Sequence, residues 1–285
     1  MVLEHISAEQ PVDMAAAQEF MRATLAKIDR TELNALEAEM QQKGKWLREL
    51  VAPEALPSLT EEELIKLLRS VFATRRRATE ILAAVGAEKL KDGIHELFYA
   101  ELPVAQRFRD FVDAMTGFFD DVSVLRPRKS SDSRAKRSAE EAALRENVFC
   151  DLASELLHFT NPEEYWLWTR WMWDPKTGTG ALPLVTMEGV ELHGKTVGET
   201  YLKLGAAMAF VRATGNAAGF SDYGAGPYGI DVFMACVYAV YMYTTLRLRM
   251  TQEFTQLVPQ FPELIRRLLG VWRMEMRGGQ YAATA

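Results

Sequence analysis

Apolar residues recur at three- and four-residue spacing along most of the chain, which is the period of an α-helix packed against a core. One such stretch covers residues 12–50, and a second begins at Thr60-Glu-Glu-Glu63, which has the sequence of a capping box. Gly86 predicts the end of the second stretch, because glycine readily adopts the positive φ of a helix stop. Further helices are predicted over about 88–100, 103–119, 139–159, 196–213, 232–246 and 263–276.

The apolar positions of the first two stretches predict core residues. The first set is Phe20, Met21, Leu25, Ile28, Leu33, Leu36, Met40 and Leu47, and the second is Leu64, Leu67, Leu68, Val71 and Phe72. Because each set lies on one helical face, we expect both to be buried against neighbouring helices.

Four of the six tryptophans lie within eight residues, in the segment Tyr165–Trp173. Asn161-Pro-Glu-Glu164 supplies a cap, a first-turn proline and acidic residues, so a helix is predicted from there to Asp174-Pro175. At helical spacing the tryptophans fall on two opposite faces, which indicates a central helix between two layers or a helix with one face for a partner. The residues predicted to bind a partner are Trp166, Trp168, Arg170, Trp171 and Trp173.

A small β-hairpin is predicted over 182–192, where two apolar runs flank Met-Glu-Gly. With the helices, this makes the expected fold mainly α: a multi-helix globular bundle with a small hairpin excursion near 182–192.

Residues 126–137 contain six basic residues, three serines and no large apolar side chain, so this segment is predicted to be a mobile loop or linker. It divides the chain into an amino-terminal helical subdomain (1–125), a basic segment (126–138) and a carboxy-terminal helical subdomain (139–285). One continuous domain is the alternative.

Overall composition is that of a globular protein, with 48% apolar and 25% charged residues. The net charge of −6 opposes general attraction to nucleic acid or anionic membrane. Cys150 and Cys236 lie in apolar helical stretches, which favours a reducing compartment over a disulfide framework. The longest uncharged stretch, 232–246, is too short to span a bilayer, and the amino terminus has no signal-peptide pattern, so a cytoplasmic location is expected.

Positive charge is concentrated at two places, where binding of nucleic acid or of an acidic protein surface is the alternative to a solvated surface. The residues are Arg75, Arg76, Arg77, Arg126, Arg128, Lys129, Arg134, Lys136 and Arg137.

Gly224, Gly226 and Gly229 match G-x-G-x-x-G at the start of a predicted helix, where backbone amides can approach a phosphate. A dinucleotide site also needs a buried strand just before the glycines. Residues 217–223 do not have a strand pattern, so a structural turn is the main interpretation and a ligand loop the alternative. No cofactor is predicted.

Glu155-Leu-Leu-His158 has the E-x-x-H spacing of di-iron helical bundles, and Asp92-Gly-Ile-His95 repeats it with a shorter acid. A di-iron site needs inward carboxylates from two further helices, and none stands out. A buried histidine bonded to a carbonyl or carboxylate is therefore the main interpretation. No metal ligand and no catalytic residue are predicted.

The segment Ala153–Tyr165 resembles the joint between two helices in some helix-hairpin-helix proteins of the DNA-glycosylase type. The resemblance covers about thirteen of 285 residues. The glycine-x-glycine hairpin of those proteins, and the lysine or aspartate used for base excision, are not found upstream.

The sequence leaves three functional hypotheses open. The excess of Trp, Tyr, Met and Arg, with no recognisable catalytic motif, favours a non-catalytic interaction or assembly (accessory) protein that binds a protein partner or itself. Nucleic-acid binding through 126–137 and Arg75–Arg77 is the first alternative. A metal- or phosphate-ligand-binding enzyme using His158 or Gly224–Gly229 is the second.

Overall fold

The computed structural model describes residues 12–118, 134–217, 226–249, 259–271, 274–277 and 280–283. The described part is mainly helical, as predicted. Its helices are α1 (Met14–Leu25), α2 (Arg30–Val51), α3 (Glu61–Ser70), α4 (Ala78–Val85), α5 (Ala87–Tyr99), α6 (Val104–Gly117), α7 (Arg134–Thr160), α8 (Val197–Ala217), α9 (Gly229–Arg249) and α10 (Phe261–Leu268). Two short strands, β1 (Met274–Arg277) and β2 (Gln280–Ala283), pair in antiparallel fashion.

The predicted helix signals at Thr60 and Gly86 are confirmed. The Thr60 hydroxyl accepts a hydrogen bond from the Glu63 amide at 3.3 Å, and the Glu63 carboxylate accepts one from the Thr60 amide at 2.8 Å. Gly86 has a φ of +86° and separates α4 from α5. These signals are local, so they determine where helices begin and end without help from distant residues.

The second predicted stretch is not continuous, because residues 71–77 interrupt it. Val71 is extended, and the Thr74 hydroxyl donates to the carbonyl of Leu68, which supplies an alternative to the helical bond. Phe72 is therefore 46% exposed, and its predicted place in the core is wrong, as is that of Leu25 (42% exposed) at the end of α1.

The core is continuous across helices on both sides of 119–133. Helix α7 packs against α2 and α6, α6 also packs against α5 and α8, and α9 packs against α1, α2 and α10. The proposed subdomain boundaries stay a prediction. No helix in the described ranges has the length and apolarity needed to cross a bilayer.

The predicted tryptophan helix is wrong, because Tyr165–Trp173 forms an irregular segment with a turn near its end. Its backbone groups bond to side chains of α7 and α8, as a buried irregular segment requires. The Trp166 carbonyl accepts from Tyr201 Oη at 3.0 Å, the Trp168 amide donates to Ser154 Oγ, and the Tyr165 carbonyl contacts His158 Nδ1 at 2.7 Å. We call residues 165–173 the tryptophan segment.

The predicted β-hairpin at 182–192 is also wrong. Residues Leu182–Leu184 form a 3₁₀ turn, and a single bridge joins Thr186 to Val12. Pro183 explains the error, because proline has no amide hydrogen for a strand ladder.

The last helix ends earlier than predicted. It stops at Leu268, and Gly270 has a φ of +68°, which ends the helical path before β1.

Gly205 allows the tryptophan segment to lie against α8. A Cβ on this residue would be 2.6 Å from Cδ1 of Trp166, and Cζ of Arg212 lies 4.6 Å from the centroid of the same rigid ring. We expect Gly205→Ala to lower the free energy of unfolding by about 1–3 kcal/mol, despite the better helix propensity of alanine.

Chemical denaturation followed by tryptophan fluorescence measures this effect. Gly117→Ala is the matched control, since a Cβ on Gly117 has no atom within 4 Å. Equal stability of the two variants would show that the Trp166 ring can move aside to make room for the added methyl group.

Candidate functional site: a buried charge cluster and two surface clefts

Lys43 of α2 and Glu155 of α7 form an ion pair inside the core. Their Nζ and Oε2 atoms are 2.6 Å apart, and the side chains are 0% and 2% exposed. The ammonium also lies 3.9 Å from the centroid of the Phe159 ring, and the Phe72 amide donates to Glu155. Burial lowers the pKa of Lys43 and raises the pKa of Glu155, although each charge favours the other.

His158 of α7 and Asp231 of α9 form a second buried pair. His158 Nε2 is 2.8 Å from Asp231 Oδ2, and its Nδ1 is 2.7 Å from the Tyr165 carbonyl oxygen. A carbonyl only accepts, so Nδ1 carries a hydrogen, and the contact with Asp231 then holds one further proton. Burial alone would lower the pKa of His158, but the charge and hydrogen bond of Asp231 outweigh it and raise that pKa.

This geometry determines what His158 can do. Both ring nitrogens are occupied, so in this structure neither is available as a general base or as a metal ligand. Glu155, the other half of the E-x-x-H match, is bound to Lys43. Among the described residues, no group of three or more His, Cys, Asp or Glu side chains is placed to hold a metal ion. The four residues Lys43, Glu155, His158 and Asp231, which we call the buried charge cluster, instead join α2, α7, α9 and the tryptophan segment.

Asp151 connects α7 to the tryptophan segment from another side. Its carboxylate is 3.5 Å from Nε of Arg170, whose side chain is 35% exposed. Burial raises the pKa of Asp151 to about 7, and the charge of Arg170 opposes this only in part. Arg170, predicted to bind a partner, is thus engaged with the chain's own core.

The two cysteines are buried and unpaired with each other. Burial raises the pKa of both thiols, so both are protonated and poorly nucleophilic at neutral pH.

A groove of about 310 Å³ runs between α5 and α6. Its lining is formed by the apolar residues and glycine Gly93, Ala100, Leu102, Phe111, Ala114, Met115 and Phe118, with charged residues Lys89, Asp92, Glu96, Arg107 and Asp110 among them. We call this the α5–α6 groove. Arg107 is turned toward the end of α5, where it donates to the carbonyls of Leu97 and Phe98 at 2.6 and 2.9 Å.

A second cleft, of about 550 Å³, is more polar. Helices α6 and α7 contribute Arg109, Asp113, Glu146, Asn147 and Cys150, the chain before α8 contributes Lys176 and 193–196, and α8 itself contributes Val197 and Thr200. Burial and the neighbouring Asp113 raise the pKa of Glu146. We call this the polar cleft.

The structure brings the predicted tryptophans together in the core. Trp168, Trp171 and Trp173 are 4%, 7% and 3% exposed, and the first two donate their indole hydrogens to the carbonyls of Trp173 and Leu268. A partner could reach only Trp166 and Arg170 without opening the fold. The predicted role of the five residues in partner binding stays a prediction.

The predicted basic residues are described only in part. Arg75–Arg77 form a short 3₁₀ turn, where Arg75 lies 5.6 Å from the centroid of the exposed Phe72 ring. Arg126, Arg128 and Lys129 lie outside the described residues. Arg134, Lys136 and Arg137 belong to the first turn of α7. The prediction of nucleic-acid binding is therefore untested.

The glycine loop is partly described as well. Gly224 lies outside the described residues, Gly229 begins α9, and Gly226 contacts the carboxylate of Glu37 so closely that a Cβ would collide with it. An acidic neighbour makes this end of the loop a poor place for a phosphate. The ligand role of the loop stays a prediction.

The sequence did not lead us to expect Lys43 or Asp231 at a site, although each stands in a recognisable sequence context. Lys43 lies on the apolar stripe defined by Leu36, Met40 and Leu47, where a charge must find a buried partner. Asp231 is the last charge before the uncharged stretch of α9. The polar cleft left no such signal, because four separate segments build it.

Comparison of the chain with protein-family models, with curated proteins and with solved structures gave no match. Within its described residues, the chain is thus a mainly α-helical protein that contains the buried charge cluster, the α5–α6 groove and the polar cleft.

Proposed function

We propose that this chain is a non-catalytic interaction protein that binds a basic amphipathic helix of a protein partner in the α5–α6 groove. The observation that carries the proposal is an apolar groove between two adjacent helices, lined by Gly93, Phe111, Ala114, Met115 and Phe118. Grooves of this kind receive the apolar face of a helix, which supplies anchors at every third or fourth residue.

The charges around the groove select the chemistry of the partner. Asp92 and Glu96 are exposed and lie one turn apart on α5, whereas Asp110 of α6 is paired with Arg109 at 2.6 Å. Arg107 is occupied by backbone carbonyls, and Lys89 lies 4.3 Å from the centroid of Phe118. Acidic side chains thus predominate at the accessible edge, which favours lysine and arginine on the flanks of the bound helix.

Two further features support a binding role without chemistry. His158 has both nitrogens engaged, and the thiols of Cys150 and Cys236 have raised pKa values, so these side chains lack the reactivity that catalysis would need. The buried, unpaired cysteines also favour a reducing compartment, and we include a cytoplasmic location in the proposal.

The test uses synthetic helical peptides of about 12–15 residues, a length close to that of α5. One peptide has leucines on one face and lysines elsewhere, and the second peptide has glutamates in place of the lysines. Fluorescence anisotropy should show that the lysine peptide binds the full chain, and that Ala114→Trp, which fills the groove from an exposed position, weakens binding at least about tenfold.

Ala38→Trp, at an exposed position of α2, is the matched control and should leave binding unchanged. Equal affinity for the two peptides, or equal affinity of the two variants, would contradict the proposal. The alternative occupant of the groove is a second copy of this chain, and native mass spectrometry of the unmodified chain and of Ala114→Trp tests it. A dimer that forms with the unmodified chain and is absent with Ala114→Trp would show that the groove binds this second copy instead.

A further inference from the structure

Helix α7 holds the tryptophan segment with three polar side chains on one face. Asp151, Ser154 and His158 stand at positions i, i+3 and i+7 of the helix, and each contacts the segment. Ser154 carries no charge, and both ring nitrogens of His158 are engaged deep in the core. Asp151 differs from them because its partner, Arg170, reaches the protein surface with a side chain that is 35% exposed. This contact therefore links a buried charge to the accessible edge of the tryptophan segment.

The ionised form of Asp151 is only partly compensated. Its side chain is 7% exposed, and Nε of Arg170 lies 3.5 Å from its Oδ2 atom, which is longer than a strong charge-assisted hydrogen bond. The Arg170 amide also donates to this carboxylate. A protonated carboxyl group can still accept that bond through its carbonyl oxygen, so the backbone contact does not require the charge. The grip on the arginine side chain does require it.

The other charges on α7, and those on the helices packed against it, are acidic or already paired. Burial raises the pKa of Asp151 to about 7, and Glu155, one turn further along α7, raises it too. The cation that α2 contributes on this side, Lys43, is bound to Glu155. Where α6 meets α7 at the polar cleft, the charged residues are Arg109, Asp113 and Glu146, and Arg109 is bound to Asp110. The main counter-charge of Asp151 is therefore Arg170.

We infer that the contact between Asp151 and Arg170 is a pH-sensitive switch, which holds the arginine side chain on α7 above neutral pH and releases it when Asp151 takes up a proton. Arginine stays charged in both states, so release leaves a guanidinium without its counter-charge at the accessible edge of the tryptophan segment. An anionic group of a partner would bind this edge more readily in the protonated state. The switch does not depend on the α5–α6 groove, and Ala114→Trp should leave it unchanged.

Chemical modification of the full chain with phenylglyoxal, a reagent for accessible guanidinium groups, tests the switch. Peptide mass spectrometry gives the rate at Arg170, which is divided by the rate at the exposed Arg76 in the same sample to cancel the pH dependence of the reagent. We expect this ratio to fall about three- to tenfold between pH 5.5 and pH 8.5, with its midpoint near pH 7, as the ion pair forms.

Asp151→Asn is the matched variant, because asparagine keeps an acceptor for the Arg170 amide but cannot ionise. Its ratio should stay high and constant over the same pH range, whereas Asp92→Asn, at an exposed position of α5, should behave like the unmodified chain. A constant ratio in the unmodified chain, or the same fall in Asp151→Asn, would overturn the inference.

Denaturant unfolding gives a second measurement. The raised pKa of Asp151 means that the folded chain binds one more proton than the unfolded chain between the unfolded pKa of about 3.9 and pH 7. Stability is therefore lost as the pH rises through this window. The folding equilibrium constant of the unmodified chain should fall about tenfold per pH unit relative to Asp151→Asn between pH 5 and pH 6.5. Parallel pH profiles of the two chains would show that Asp151 does not take up this proton.

Discussion

Replacing Lys43 with methionine is expected to lower the free energy of unfolding by about 3–5 kcal/mol at pH 8, because it leaves the Glu155 carboxylate buried without its counter-ion. The pair is 0% and 2% exposed, so water cannot take the place of the ammonium. The loss should be smaller at pH 5, where Glu155, whose pKa is raised by burial, can be protonated instead. Denaturant unfolding at the two pH values measures both effects.

The double variant Lys43→Met with Glu155→Gln should recover most of this loss. Glutamine removes the unpaired charge, while its amide oxygen can still accept the hydrogen bond from Phe72. Lys66→Met is the control: Lys66 pairs with Glu62 at 3.0 Å on the surface of α3, and its loss should cost less than about 1 kcal/mol. If Lys43→Met cost no more than Lys66→Met, the buried pair would not have the stabilising role assigned to it.

Asp231→Ala should produce the second large loss, about 3 kcal/mol at pH 6, because it removes the acceptor that holds the proton on His158. The pKa of His158 is raised in the folded state, so this stabilisation is complete below the unfolded pKa of about 6.5. It is lost as the pH rises through the folded pKa. The stability difference between the parent chain and Asp231→Ala should therefore shrink at alkaline pH.

Asp231→Asn separates the hydrogen bond from the charge. A neutral His158 with its hydrogen on Nδ1 can accept from the asparagine amide through Nε2, so this variant should lose less stability than Asp231→Ala. The difference between parent and Asp231→Asn should also shrink with rising pH, because the variant lacks the extra proton. A difference that is constant from pH 5 to pH 9 for both variants would show that the pair does not hold that proton.

Local patterns predicted the helices well and the tryptophan segment badly, for one physical reason. A capping box such as Thr60–Glu63 involves residues one turn apart, so sequence spacing contains the whole interaction. The tryptophan segment keeps its irregular path through bonds to Ser154, His158 and Tyr201, which lie on other helices. Its apolar spacing fits a helix, but tertiary contacts decide its conformation.

The sites were predictable to different degrees. His158 was expected to be a buried histidine bonded to a carbonyl or carboxylate, and the structure shows bonds to both. Its partner Asp231 is 73 residues away, and Lys43 is 112 residues from Glu155, so no spacing rule could connect them. The α5–α6 groove escaped prediction because residues of two helices line it, and the apolar pattern within one helix does not show which helices pack side by side.

The ion pair of Lys43 and Glu155 joins the part of the chain before residues 119–133 to the part after them. Any break between α6 and α7 would give one fragment a lone ammonium and the other a lone carboxylate, each on a surface that is otherwise apolar. Keeping such a charge buried without its partner would be costly in either fragment. We therefore expect each fragment to be less stable alone than in a complex of the two, which restores the ion pair.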